Sequence, residues 1–107
     1  KKDDFEINYF QGSSQSEEFF NIIKEKRPDI SFIDGDHRLI GALKDHMLVR
    51  TSSKIIIHHD ICSDACPDLM FLWNVLKELE INKKNIEFTD QYLSVNGSFL
   101  GIGILYA

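Results

Sequence analysis

Two short stretches carry most of the side chains able to do chemistry: Asp34-Gly35-Asp36-His37 and His58-His59-Asp60, which hold three of the four histidines in the chain. Each follows an apolar, β-branched run, residues 30–33 and 54–57, so each reads as the polar exit from a buried strand. Ligands of open parallel sheets bind beyond the carboxyl ends of the strands. If the two strands are neighbours, about 4.8 Å apart, the carboxylates and imidazoles meet. Such a group can hold a divalent cation, or set a general base beside a substrate. Either stretch alone reads as a helix cap or strand end; two at the same edge point to function. Cys62 and Cys66 lie next to the second stretch, but the C-x₃-C spacing is loose and has no second pair. They read as thiols in a loop beside the site.

The elements that must position these groups alternate along the chain. Residues 7–10 form a short aromatic-rich run ended by Gln11-Gly12-Ser13-Ser14, a strand entering a turn. Ser16 followed by Glu17 and Glu18 predicts a helix start, with Phe19, Phe20, Ile22 and Ile23 as its apolar stripe and Pro28 as its stop. After the strand at 30–33, Leu39, Leu43, Met47 and Leu48 space like the inner face of a second helix, Gly41 being a mild cost within it. A third helix, capped near Asp68, carries Leu69, Leu72, Trp73, Leu76 and Leu79. Residues 86–89 and 99–106 predict two more strands, with Asn96-Gly97 between them as a tight antiparallel turn. Asp45 is expected to pair with a backbone or basic group.

Composition narrows the class. The chain has 107 residues, a net charge of −5 and 27% charged residues, which suits one folded acidic domain and argues against a nucleic-acid binder. No apolar run approaches the roughly 20 residues that span a bilayer, and no apolar segment follows the charged start as a secretory signal would require. Two cysteines suit a reducing compartment, so a cytoplasmic location is expected. The first residue is not Met, so the natural protein cannot be assumed to start there.

Four phrases in order carry a resemblance: residues 30–37, Lys44-Asp45, residues 55–61 and residues 71–77. Together, over roughly residues 7–80, they resemble class I S-adenosylmethionine-dependent methyltransferases of the cephalosporin-hydroxylase-like and macrolide O-methyltransferase-like group. The resemblance implies a three-layer Rossmann-like α/β sheet, mostly parallel with an antiparallel C-terminal strand, in which residues 7–10 are the third strand. The glycine-rich loop and first two strands of that fold have no counterpart here, so residues 1–107 would be a single partial domain. A compact sheet then follows in which the strand at 7–10 pairs with the strand at 30–33, sequential strands being usual neighbours.

The same resemblance implies transfer of a methyl group from S-adenosylmethionine to a small-molecule hydroxyl. Asp34 and Asp60 match metal-binding positions, with His59 where relatives carry a glutamate; Mg²⁺ is the implied ion. His37 matches a proposed general base. Gly12 and Ser13 match a turn that contacts the adenine, and Asp34 adjoins the cofactor. The segment alone is expected to be inactive, its cofactor half being absent. The alternatives are a non-catalytic module that associates through an exposed sheet edge, a homo-oligomer among its forms, and a metal-dependent hydrolase using the same Asp/His cluster.

Overall fold

A computed structural model describes residues 6–63, 65–89 and 101–107. Helix α1 (Glu17–Lys26) begins as its sequence demands: the Ser16 hydroxyl accepts the Phe19 amide at 3.1 Å, and Glu17 and Glu18 sit at the positive end of the helix dipole. It closes through Arg27, whose left-handed φ of 48° lets its amide reach the Ile23 carbonyl at 2.8 Å. Strand β1 (Ile30–Ile33), helix α2 (Leu39–Val49), strand β2 (Ile55–His59) and helix α3 (Pro67–Leu79) follow, then strands β3 (Lys84–Phe88) and β4 (Ile102–Tyr106).

The fold is α/β, a four-stranded mixed sheet with three helices, the strands ordered β1-β2-β4-β3. β1 pairs with β2 in parallel, and β4 runs antiparallel to both its neighbours, β2 and β3. Three strands therefore point one way and the C-terminal strand runs against them, as expected. Residues 7–10 are a correction: they form no strand, and the compact five-strand sheet gives way to four. Instead of laying an edge along β1, the Phe10 ring packs on Phe19 of α1, centroids 5.2 Å apart, while Ile7 and Tyr9 face solvent. Asn96-Gly97 and residues 90–100 as a whole lie outside the described residues, as do residues 1–5 and 64.

Strand pleating sorts the sheet into two faces. One carries Ile56 and Leu105, both wholly buried, and Leu105 packs with Leu69, Leu72, Trp73 and Leu76 of α3 and Ala42 of α2 to form the core. Gly103 interrupts β4 on this face because a Cβ there would fall 2.5 Å from the Trp73 ring. Truncating Leu105 to alanine removes a fully enclosed side chain from the middle strand, and a loss of about 2–5 kcal/mol is expected in urea unfolding. The opposite face is apolar too. The register aligns Phe32, Ile57, Ile104 and Ile86 across it, yet Ile30 and Phe32 stay 60% and 57% exposed.

Helix α2 buries a different stripe from the one its leucines suggest. Gly41, Ala42, Asp45, His46 and Val49 are buried, Leu39 and Leu43 are partly so, and Met47 is exposed. In α3 the expected stripe holds through Leu76, whereas Leu79 is exposed. Asp68 does not cap its own helix. Its carboxylate accepts the Leu39 amide at 3.0 Å and so serves the start of α2, while Cys66 and Pro67 open α3.

Candidate metal centre

The parallel register sets Ile33 beside His58, which brings the next residues out at one edge of the sheet: Asp34 from β1, His59 and Asp60 from β2. One ligand atom from each of these three lies within 4.8 Å of the others. His59 Nδ1 stands 3.3 Å from Asp34 Oδ1 and 3.2 Å from Asp60 Oδ2. Neither approach has hydrogen-bond geometry, and this nitrogen is a buried polar atom with no hydrogen-bond partner among the described residues. An imidazole nitrogen buried between two carboxylates without a hydrogen bond is costly. A cation between the three groups would resolve the conflict, so the residues fit one.

Asp60 is fixed by its backbone. It leaves β2 with a left-handed φ of 65°, and its amide donates to the Gly101 carbonyl at 2.9 Å. Gly101 itself has φ 77°, and a Cβ there would strike the Cys62 sulfur, so glycine is required on both counts.

His37 joins from the loop after β1. Its Nε2 lies 3.2 Å from Asp60 Oδ2 and its Nδ1 3.5 Å from the Cys66 sulfur, while its ring stays half exposed. A second ligand trio, His37, Asp60 and Cys66, thus shares Asp60 with the first. Sequence spacing missed this partnership because the eye pairs Cys66 with Cys62. Pro67 was the available clue: it marks the start of a helix that must begin at the same sheet edge. No disulfide joins Cys62 and Cys66.

The other acid of the first stretch is turned away. Asp36 accepts Arg38 Nε at 2.9 Å, Arg38 Nη2 at 2.7 Å and the Arg38 amide at 3.0 Å, and the Arg38 guanidinium holds its carboxyl far below the usual range. Gly41 leaves room for that carboxylate, which a side chain at 41 would overlap.

Next to Asp34 lies an open, mostly apolar cavity of about 420 Å³, with Ser14, Phe19, Phe32, Asp34, Asp45 and Leu48 among its lining. Asp45 accepts the Ser14 hydroxyl at 2.8 Å; burial pushes its carboxyl up despite that bond. Gly12 and Ser13 lie exposed in the preceding turn, where the Ser13 hydroxyl accepts the Gln15 amide at 3.0 Å. It is Ser14, the next residue, that shares the cavity wall with Asp34.

His58 is a correction. Adjacent strand residues face opposite sides, so while His59 joins the carboxylates, His58 points into the core beside Trp73. There its Nε2 meets His46 Nδ1 at 2.9 Å, His46 Nε2 meets Glu80 Oε2 at 2.6 Å, and Arg50 Nε donates to the same oxygen at 2.7 Å. Burial pushes His58 down to about 3, with repulsion from His46 adding to it. His46 is pushed down as well, burial outweighing the pull of Glu80. Burial alone would raise Glu80, but hydrogen bonds from Arg50 and His46 bring it below its ordinary value. The pattern assigns a carboxylate at Glu80, a neutral His46 with its proton on Nε2, and a neutral His58 donating from Nε2.

No family model, curated protein or solved structure matches the chain. Among the described residues, no helix is long and apolar enough to cross a membrane.

Proposed function

We propose that this chain is the cation- and acceptor-binding part of an S-adenosylmethionine-dependent methyltransferase acting on a small-molecule hydroxyl in a reducing, cytoplasmic setting. The observation that supports it is the meeting of Asp34, His59 and Asp60 at one strand edge with His37 beside them. A divalent cation held by the three would supply Lewis-acid polarisation of the acceptor hydroxyl, and the methyl donor would supply the electrophilic methyl. His37, with its Nε2 proton turned to Asp60 Oδ2 3.2 Å away, is the group placed to take the hydroxyl proton at Nδ1, and Asp60 stabilises the imidazolium that results. The half-exposed ring leaves the acceptor a path from solvent. Asp34 and Ser14 provide one wall for the donor, with Gly12 and Ser13 in the adjoining turn. Its remaining contacts, and a three-layer Rossmann-like arrangement covering the bare face at Ile30 and Phe32, belong to a larger domain in this reading.

His59 changes the metal expected. An imidazole in place of an oxygen ligand favours Mn²⁺ over Mg²⁺, which prefers all-oxygen surroundings. Calorimetric titration should show Mn²⁺ binding more tightly than Mg²⁺, and Asp34→Asn should weaken Mn²⁺ by at least about tenfold, since even groups that only orient ligands are worth roughly that much. Methyl transfer is tested on the full-length gene product: absence of S-adenosylmethionine binding there would overturn it.

A second reading has its own support. The outer edge of β1 has no strand partner among the described residues, and the apolar face beside it is exposed. A module that associates through this edge, with a second copy or another chain, would cover both. Light scattering across a concentration series separates the two, since self-association with no affinity for the methyl donor favours the module.

A further inference from the structure

The trio His37, Asp60 and Cys66 differs chemically from its neighbour. Cys66 is the residue from which α3 starts, buried at 8% exposure, and its sulfur faces His37 Nδ1 at 3.5 Å. The other nitrogen of that ring faces Asp60 Oδ2 at 3.2 Å. One nitrogen, one oxygen and one sulfur ligand atom lie within 4.8 Å of one another. Ligands around one tetrahedral ion stand roughly 3.5 Å apart, given bonds of about 2.0–2.3 Å, so modest side-chain rotation closes the set. Among the described residues Cys62 belongs to neither ligand trio, and its sulfur lies beside Gly101.

A thiolate with imidazole and carboxylate is a donor set for a borderline or soft cation, not for Mg²⁺ or Ca²⁺. The geometry points to a second cation site, formed by His37, Asp60 and Cys66, that takes a thiophilic divalent ion of the Zn²⁺ class with its fourth position open to solvent. As the metal–sulfur bond forms, the Cys66 thiol proton leaves to solvent. The half-exposed His37 ring marks the side from which the ion enters and where a water completes the shell. A bound ion also occupies His37, which then accepts no proton. That consequence rests on the base role proposed above; the site itself does not.

Co²⁺ is the probe, because cobalt bound to a thiolate gives a sulfur-to-metal charge-transfer band that oxygen and nitrogen ligands do not. The wild-type chain titrated with Co²⁺ should develop this band, and Zn²⁺ should displace it. Cys66→Ser should abolish the band while preserving the fold, serine being a favoured helix cap, and should weaken Zn²⁺ binding by at least about tenfold. His37→Gln should weaken Zn²⁺ comparably. Asp34→Asn and Cys62→Ser should both retain the band. The proposal falls if the wild type shows no band at saturating Co²⁺, if Cys66→Ser keeps it, or if Cys62→Ser loses it. Loss of the band in Asp34→Asn would show one merged site and overturn the second. Failure of the Mn²⁺ test together with a persistent cobalt band would remove the first site and leave this one standing.

Discussion

Replacing Glu80 with alanine is expected to lower the unfolding free energy by roughly 1–3 kcal/mol, the range for leaving a buried donor without its acceptor. Glu80 is 5% exposed and follows α3, where its Oε2 takes both the Nε2 proton of the fully buried His46 and the Nε proton of Arg50. Without it, His46 keeps a buried N–H with no acceptor, and the charge of Arg50 loses its counterion. Arg50 is about one-third exposed and can turn to water. The greater part of the penalty therefore falls on His46. Set against a total of about 5–15 kcal/mol for a domain, this is a large fraction of the stability. Urea unfolding should show a lower midpoint at unchanged slope, and Glu80→Gln, which keeps an acceptor, should lie between the two. A loss under about 1 kcal/mol would mean that the network carries no net stability.

Acidification should unfold the protein through the same residues. An imidazole in the unfolded chain titrates near its ordinary value of 6.5, whereas His58 in the folded protein does so only at about 3. Between those values the unfolded state binds a proton that the folded state refuses, so stability falls as pH falls. The slope is about 1.4 kcal/mol per pH unit for each such imidazole. His46 is depressed too and adds in the same direction, and Glu80 adds below its ordinary 4.5. Asp45 pulls the other way: its carboxyl is raised, so its protonated form favours the fold at acid pH, and one carboxyl does not offset two imidazoles. Above about pH 6.5 these groups should contribute no slope. Urea midpoints from about pH 7.5 down to about pH 4.5 test this. His58→Phe should flatten the curve, and an unchanged slope in that variant would contradict the assignment.

Local chemistry made part of this molecule readable in advance. Ser16 with two acids after it marks α1 because a cap and a dipole act within one turn. The isoleucine runs mark β1 and β2 because β-branched side chains suit a sheet interior. From those two strands the approach of the stretches 34–37 and 58–60 followed by spacing, whereas the choice of Asp34, His59 and Asp60 within them came from the resemblance. The strand expected at 54–57 ran on through both histidines, and pleating then sent His58 and His59 to opposite faces. A period of two contained that outcome once the strand was known to continue. Asp45 and His46 were hidden for a different reason. Apolar periodicity cannot select buried polar residues whose partners, Ser14, His58 and Glu80, come from distant parts of the chain. The aromatic run at 7–10 misled because β-propensity says nothing about whether an edge is taken up.

The place of β4 in the sheet governs how this protein can be made. β2 and β3 share no ladder; residues 102–106 join them, although those residues are synthesised after both. A nascent chain that has passed β3 still holds one edge of β2 open, with Ile56 and the α3 leucines lacking the Leu105 that closes the core. Completion of the sheet must wait until that stretch clears the ribosome tunnel. Until then the emerging chain offers an apolar strand edge with which its neighbours can pair.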